Sequence, residues 1–96
     1  MDRDDLFVIQ ERIPPRGCEE WHVHDRARQF FYVLSGRAEM RTAVGTVQLG
    51  SGVGVEVPPG LAHQFVNVGE TDVAFPVTST PTTRRDRTAW GPTRSD

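Results

Sequence analysis

Apolar residues in this chain fall in short runs that alternate with polar ones at a period of two, and turn-forming residues interrupt them about every 8–12 positions. Residues 6–13 open with Leu-Phe-Val-Ile and predict a first strand, stopped by Pro14 and Pro15, which cannot sit in a central strand. Residues 20–24 predict a short strand with Trp21 and Val23 on one side and His22 and His24 on the other. The densest apolar run, residues 29–34, predicts a strand buried on both faces. Ser35-Gly36 turns it into a second arm over residues 37–42, and strands over 46–49 and 53–57 follow. Pro58-Pro59-Gly60 breaks the chain before a last pair, residues 63–68 and 72–78. No helical periodicity intervenes, so the expected fold is all-β, an antiparallel sandwich or barrel. Residues 79–96 are polar, with Trp90 as the one anchor, and read as a solvated or loosely docked tail.

Composition agrees and narrows the setting. The chain has 96 residues, room for one domain, and it is rich in Val, Thr, Gly and Pro and poor in Leu. All 11 basic residues are Arg, against 13 acidic ones; the net charge of −2 argues against a nucleic-acid partner, and the lack of Lys removes Schiff-base and P-loop lysine chemistry. A single Cys18 cannot make an internal disulfide. The acidic N-terminus does not resemble a signal peptide, and no apolar run approaches the ~20 residues of a membrane span. A cytoplasmic location is therefore expected.

The chemistry rests on three histidines. Strand side chains repeat every two residues, so His22 and His24 share one face with Cα atoms ~6.5–7 Å apart, close enough for two rings to converge on one ion. Taken alone, an H-x-H pair also fits two strand histidines that bind nothing.

The surrounding residues add a pattern. Gly17, four residues, His22-x-His24, four residues, Gln29, six residues and Gly36 make a first motif; Gly52, five residues, Pro58-x-Gly60, two residues, His63, three residues and Asn67 make a second, 15 residues further on. The two motifs, over 17–36 and 52–67, resemble those of the cupin superfamily. That resemblance implies an antiparallel double-stranded β-helix, or jelly-roll barrel, over residues 1–78 and a metal held by His22, His24 and His63. The family pattern has five residues, not four, before the H-x-H, a difference confined to a loop. It also has a glutamate ligand where this chain has Gln29, which becomes a weaker neutral ligand or a hydrogen-bonding neighbour.

With neutral ligands alone, a divalent ion keeps its full charge, which favours an anionic chelating substrate such as an enediolate, catecholate or carboxylate. Imidazole ligation suits Fe, Mn, Ni, Zn or Cu without choosing among them, and a lone Cys18 argues against a structural zinc site. Phe31, Val33 and Phe65 are expected to line an apolar pocket, and Glu39, Arg37 and Arg41, on one strand parity, are candidate acid–base or substrate-binding groups beside the plainer reading of a solvated face. The expectation is a metal-dependent enzyme for a small oxygen-rich molecule, with dioxygenase-like chemistry slightly ahead of isomerase or epimerase chemistry. The alternative is a non-catalytic sensor or accessory module. An unpaired first strand at a sheet edge points to a homodimer.

Overall fold

The computed structural model describes residues 7–80 and 87–89. Nine strands follow one another: β1 (Phe7–Ile13), β2 (His22–His24), β3 (Arg28–Tyr32), β4 (Ala38–Thr42), β5 (Gly45–Leu49), β6 (Gly54–Val57), β7 (His63–Asn67), β8 (Val73–Thr80) and β9 (Arg87–Ala89). They form two antiparallel sheets, one ordered β1-β8-β3-β6 and the other β5-β4-β7-β2-β9. Among the described residues no helix is long and apolar enough to cross a membrane. The all-β expectation is met, and β1 lies at a sheet edge as its position in the chain suggested.

Inward-facing residues of the two sheets meet in one core. Phe31 and Phe75 from the first sheet stack on Phe65 from the second, with centroid separations of 5.6 Å for Phe31–Phe65 and 4.0 Å for Phe65–Phe75. Val33, Met40, Leu49, Val57, Val73 and Val77 fill in around them. Three fully buried phenylalanine rings supply much of the apolar burial available to so small a domain.

Two expectations are corrected. The run over residues 29–34 is buried on one face only: Phe31 is inside, whereas Phe30 is 45 % exposed and stacks on Tyr32 outside the sheet. Adjacent strand residues point to opposite faces, and nothing among the described residues covers the outer one. The polar tail also starts later than expected. β8 runs through Ser79, which is 1 % exposed, to Thr80, and Arg87–Ala89 pairs antiparallel with β2 as an edge strand. Trp90 lies outside the described residues.

Turn residues of both motifs hold the sheets together. Gly36 has φ +92°, and a Cβ there would sit 2.6 Å from the Asp72 carbonyl oxygen. Gly60, at φ +82°, donates its N–H to the His24 carbonyl at 2.8 Å and so ties the second motif to the first. Asn67, 2 % exposed, donates through Nδ2 to the carbonyls of Ile13 (3.0 Å) and Thr71 (2.8 Å) and accepts the Gly69 N–H at 2.8 Å. This amide joins the end of β1, the end of β7 and the turn into β8.

Asn67→Ala removes all three bonds and should cost about 2 kcal/mol or more. Asn67→Asp should be no better, because a carboxylate cannot donate to two carbonyls. Denaturant unfolding reads this directly, and a midpoint unchanged in both variants would contradict the bridging role.

Candidate metal centre

β2 is only three residues long, but its pairing determines what it presents. His22 faces His63 directly across the antiparallel β2–β7 pair, and His24 follows on the same face. All three imidazoles are buried, at 3 %, 4 % and 1 % exposure for His22, His24 and His63. Ring centroids lie 4.3 Å apart for His22–His63, 4.9 Å for His22–His24 and 6.0 Å for His24–His63. One nitrogen from each falls within 4.8 Å of the others, near the span of two ~2.1 Å bonds across a shared ion. These three side chains can therefore hold a metal.

Backbone carbonyls orient two of the rings. His22 Nδ1–H donates to the Glu20 carbonyl and His63 Nδ1–H to the Leu61 carbonyl, both at 2.8 Å and both two residues back. A carbonyl can only accept, so each Nδ1 carries a proton, and the bond fixes the direction in which each ring points. Backbone hydrogen bonds of this kind orient metal-binding histidines.

Gln29 shares the spot. Its register partner on β8 is Ser79, and its Nε2 donates to Ser79 Oγ at 3.2 Å. The amide oxygen is thereby turned toward His63 Nε2, 3.0 Å away. That is hydrogen-bond distance, so the amide oxygen and the ring nitrogen share one spot. Adjacent ligands on ~2.1 Å bonds stand ~3.0–3.4 Å apart, so the pair is spaced as two ligands of one ion would be. The donor set fits a divalent metal.

The open side of the site is a cavity of ≈ 100 Å³, lined by Glu11, Glu19, His22, His24 and Gln29 with Ile9, Phe31 and Val77. Phe31 also turns its ring edge-on to His63, at 5.9 Å. Val33 and Phe65 lie in the core beneath and do not line the cavity, and Trp21, just before β2, and Val23, within it, are absent from it too. Cys18 is exposed and outside it.

Glu39, Arg37 and Arg41 are not brought to this cavity. In β4 the inward positions are Ala38 and Met40, so Glu39 and Arg41 point outward. There Gln48 Nε2 donates to Glu39 Oε2 at 2.8 Å and Arg41 Nε to Oε1 at 3.0 Å. The Gln48 hydrogen bond, followed by that of Arg41, holds the Glu39 carboxyl below its usual range. Arg37 is exposed in the turn before β4. The solvated-face reading of all three is the one that matches.

Two cavity residues escaped the sequence reading. Glu11 was marked by parity, since it shares the inward face of β1 with Ile9 and Ile13, which pack against the core. Glu19 sits in the loop before β2, where no periodicity signals direction. Its place is held through the backbone: its N–H donates to the Phe65 carbonyl at 3.0 Å, and its carbonyl accepts from Gln64 Nε2 at 3.1 Å.

Comparison with known sequences agrees with this arrangement. The cupin domain model matches residues 9–79, most of the chain and both motifs. The chain belongs to the cupin family. No curated protein matches it. Among solved structures, a conserved double-stranded β-helix protein from Klebsiella pneumoniae superposes with a TM-score of 0.85 at 22 % identity, covering 95 % of this cupin and 79 % of that chain. A cupin-superfamily sugar phosphate isomerase from Silicibacter pomeroyi gives 0.73 at 26 % identity, over 81 % of this chain and 52 % of its own. A predicted oxalate decarboxylase from Thermotoga maritima gives 0.73 at 21 %, over 78 % and 65 %. This cupin spans about half of the isomerase.

Replacing His22, His24 or His63 singly by Ala should weaken divalent-metal binding at least ~100-fold in a competition titration. Gln29→Glu places a charged oxygen where the amide oxygen stands and should strengthen binding by about tenfold or more. An affinity unchanged by Gln29→Glu would put that side chain outside the coordination sphere.

Proposed function

We propose that this cupin is a metal-dependent enzyme acting on a small, oxygen-rich molecule that chelates the metal. The observation that carries this reading is the convergence of His22, His24, His63 and the Gln29 amide oxygen at the inner end of a cavity open to small ligands. The metal is a first-row divalent ion, Fe, Mn, Ni, Zn or Cu; when bound it supplies Lewis-acid and, with a redox-active ion, oxygen chemistry. The protein contributes position and polarity. His22 and His63 are oriented by backbone carbonyls, and Phe31, Val77, Glu11 and Glu19 line the cavity beside them. A cavity of ≈ 100 Å³ limits the part of the substrate it encloses to a few heavy atoms.

Dioxygenase-like oxidation is the favoured reaction, ahead of isomerisation, because no carboxylate occupies the ligand position that Gln29 fills. Structural neighbours carrying isomerase and oxalate decarboxylase names keep isomerase and decarboxylase chemistry in the test. The protein is taken to work in the cytoplasm, as its single cysteine suggests, and as a homodimer. The edge position of β1 and the exposed Phe30 on β3, two strands away in the same sheet, support the dimer.

Iron-loaded protein should consume oxygen with at least one member of a panel of catechols, diketones and sugars, and His63→Ala should abolish that uptake. Bound metal with neither oxygen uptake nor substrate isomerisation would favour the non-catalytic binding module instead. Light scattering should give twice the chain mass of 10.7 kDa, and a monomer would overturn the dimer.

A further inference from the structure

The inward row of β8 is apolar with one exception. Val73, Phe75 and Val77 point into the core, and the next inward position is Ser79, 1 % exposed. Another valine would continue the pattern, and a buried hydroxyl is costly unless it is hydrogen-bonded. Ser79 is bonded: its Oγ accepts the Gln29 Nε2–H at 3.2 Å across the β3–β8 pair. On the other flank of Gln29 the register partner is Val57, which offers no side-chain acceptor. Of the two strand neighbours of Gln29, Ser79 is thus the one whose side chain can hold the amide.

An amide needs such a hold because its two ends are alike in size and opposite in chemistry. The oxygen has lone pairs for a cation, whereas the NH2 group has two hydrogens and nothing to offer one. A half-turn about the last side-chain bond exchanges the two ends within the same space. With the nitrogen on Ser79, the oxygen stands 3.0 Å from His63 Nε2, on the side of the three imidazoles. The serine takes up an N–H that would otherwise lie against apolar neighbours, so the oxygen can face inward without leaving that donor buried and unpaired. A reversed amide would present N–H groups to a cation and withdraw a ligand atom.

Resting on the metal-dependent reading above, we propose that Ser79 is a positioning residue of the metal centre: its Oγ takes up a Gln29 N–H and so keeps the amide oxygen facing the ion held by His22, His24 and His63. Ser79 is not part of the cavity wall and acts through Gln29 alone. The three histidines belong to β2 and β7 of one sheet, and Gln29 and Ser79 to β3 and β8 of the other. The Ser79–Gln29 bond is thus how the first sheet reaches the metal.

The test is the Co²⁺ affinity of the full chain, measured by competition with a chelator, and unfolding midpoints of the metal-free proteins verify that each variant is folded. Ser79→Ala should weaken Co²⁺ binding about tenfold. Ser79→Thr keeps the hydroxyl and should stay within about threefold of the wild type; a loss as large as that of Ser79→Ala would contradict a role for the hydroxyl. Gln29→Met removes the amide, and adding Ser79→Ala to it should change the affinity by less than about twofold, because nothing is left for the serine to hold. No loss in Ser79→Ala would overturn the proposal. So would an equal loss with and without the amide, which would mean that the serine supports the barrel and not Gln29. Should Ser79→Ala not fold, Ser79→Val, which extends the apolar row of β8, takes its place in both backgrounds. If neither folds, NMR of the wild-type chain loaded with Zn²⁺ decides: the Gln29 side-chain N–H protons should lie against the β-protons of Ser79, and their absence there would contradict the proposal. Failure of the wild-type chain to take up Co²⁺ at all would overturn the metal reading itself, a result distinct from normal uptake without coupling between Ser79 and Gln29.

Discussion

Everything in the site follows from one constraint: three buried imidazoles and an amide are brought together, and hydrogen bonds behind them fix the way they point. The Glu20 and Leu61 carbonyls take the Nδ1 protons of His22 and His63, and Ser79 takes the amide hydrogen of Gln29. What these bonds gather at the common centre are three imidazoles and the Gln29 amide oxygen, which stands 3.0 Å from His63 Nε2. Such an arrangement offers a cation several ligand atoms at once. The hydrogen bonds behind the ligands thus carry as much of the argument as the ligands.

The barrel provides that constraint cheaply because strand geometry does most of the placing. His22 and His63 meet through a single register pair, and His24 follows from the two-residue period. Gln29 and Ser79 are likewise direct partners across β3 and β8. Beneath them the Phe31–Phe65–Phe75 stack joins the two sheets, and Asn67 locks the strand ends whose separation would open the site. Stability and function use adjacent rungs of the same ladders.

Much of this could be read in the chain. Gly36, Gly60 and Asn67 announced turns that the fold contains, and His22-x-His24 with His63 foretold a shared face. What stayed hidden has physical reasons. An unbroken run such as Phe30 to Leu34 contains no information on which face meets a second layer, so the exposure of Phe30 was not visible. The strand Arg87–Ala89 is short and polar, and it exists through pairing with β2 more than sixty residues earlier. Glu19 lies in a loop, where side-chain direction depends on distant backbone partners. Glu11 was legible in principle, from its parity with Ile9 and Ile13. Glu39 and Arg41 show the converse: parity was read correctly, but whether it pointed in or out depended on Ala38 and Met40 facing the core.

The central claim is that the three histidines and Gln29 surround one divalent ion. X-ray absorption at the edge of the bound metal tests it most directly, because it counts and identifies the atoms around the ion. The account predicts one metal per chain with three imidazole nitrogens at ~2.0–2.2 Å, the remaining positions filled by oxygen, and no sulfur neighbour. Fewer than three imidazoles, or a sulfur in the coordination shell, would contradict it.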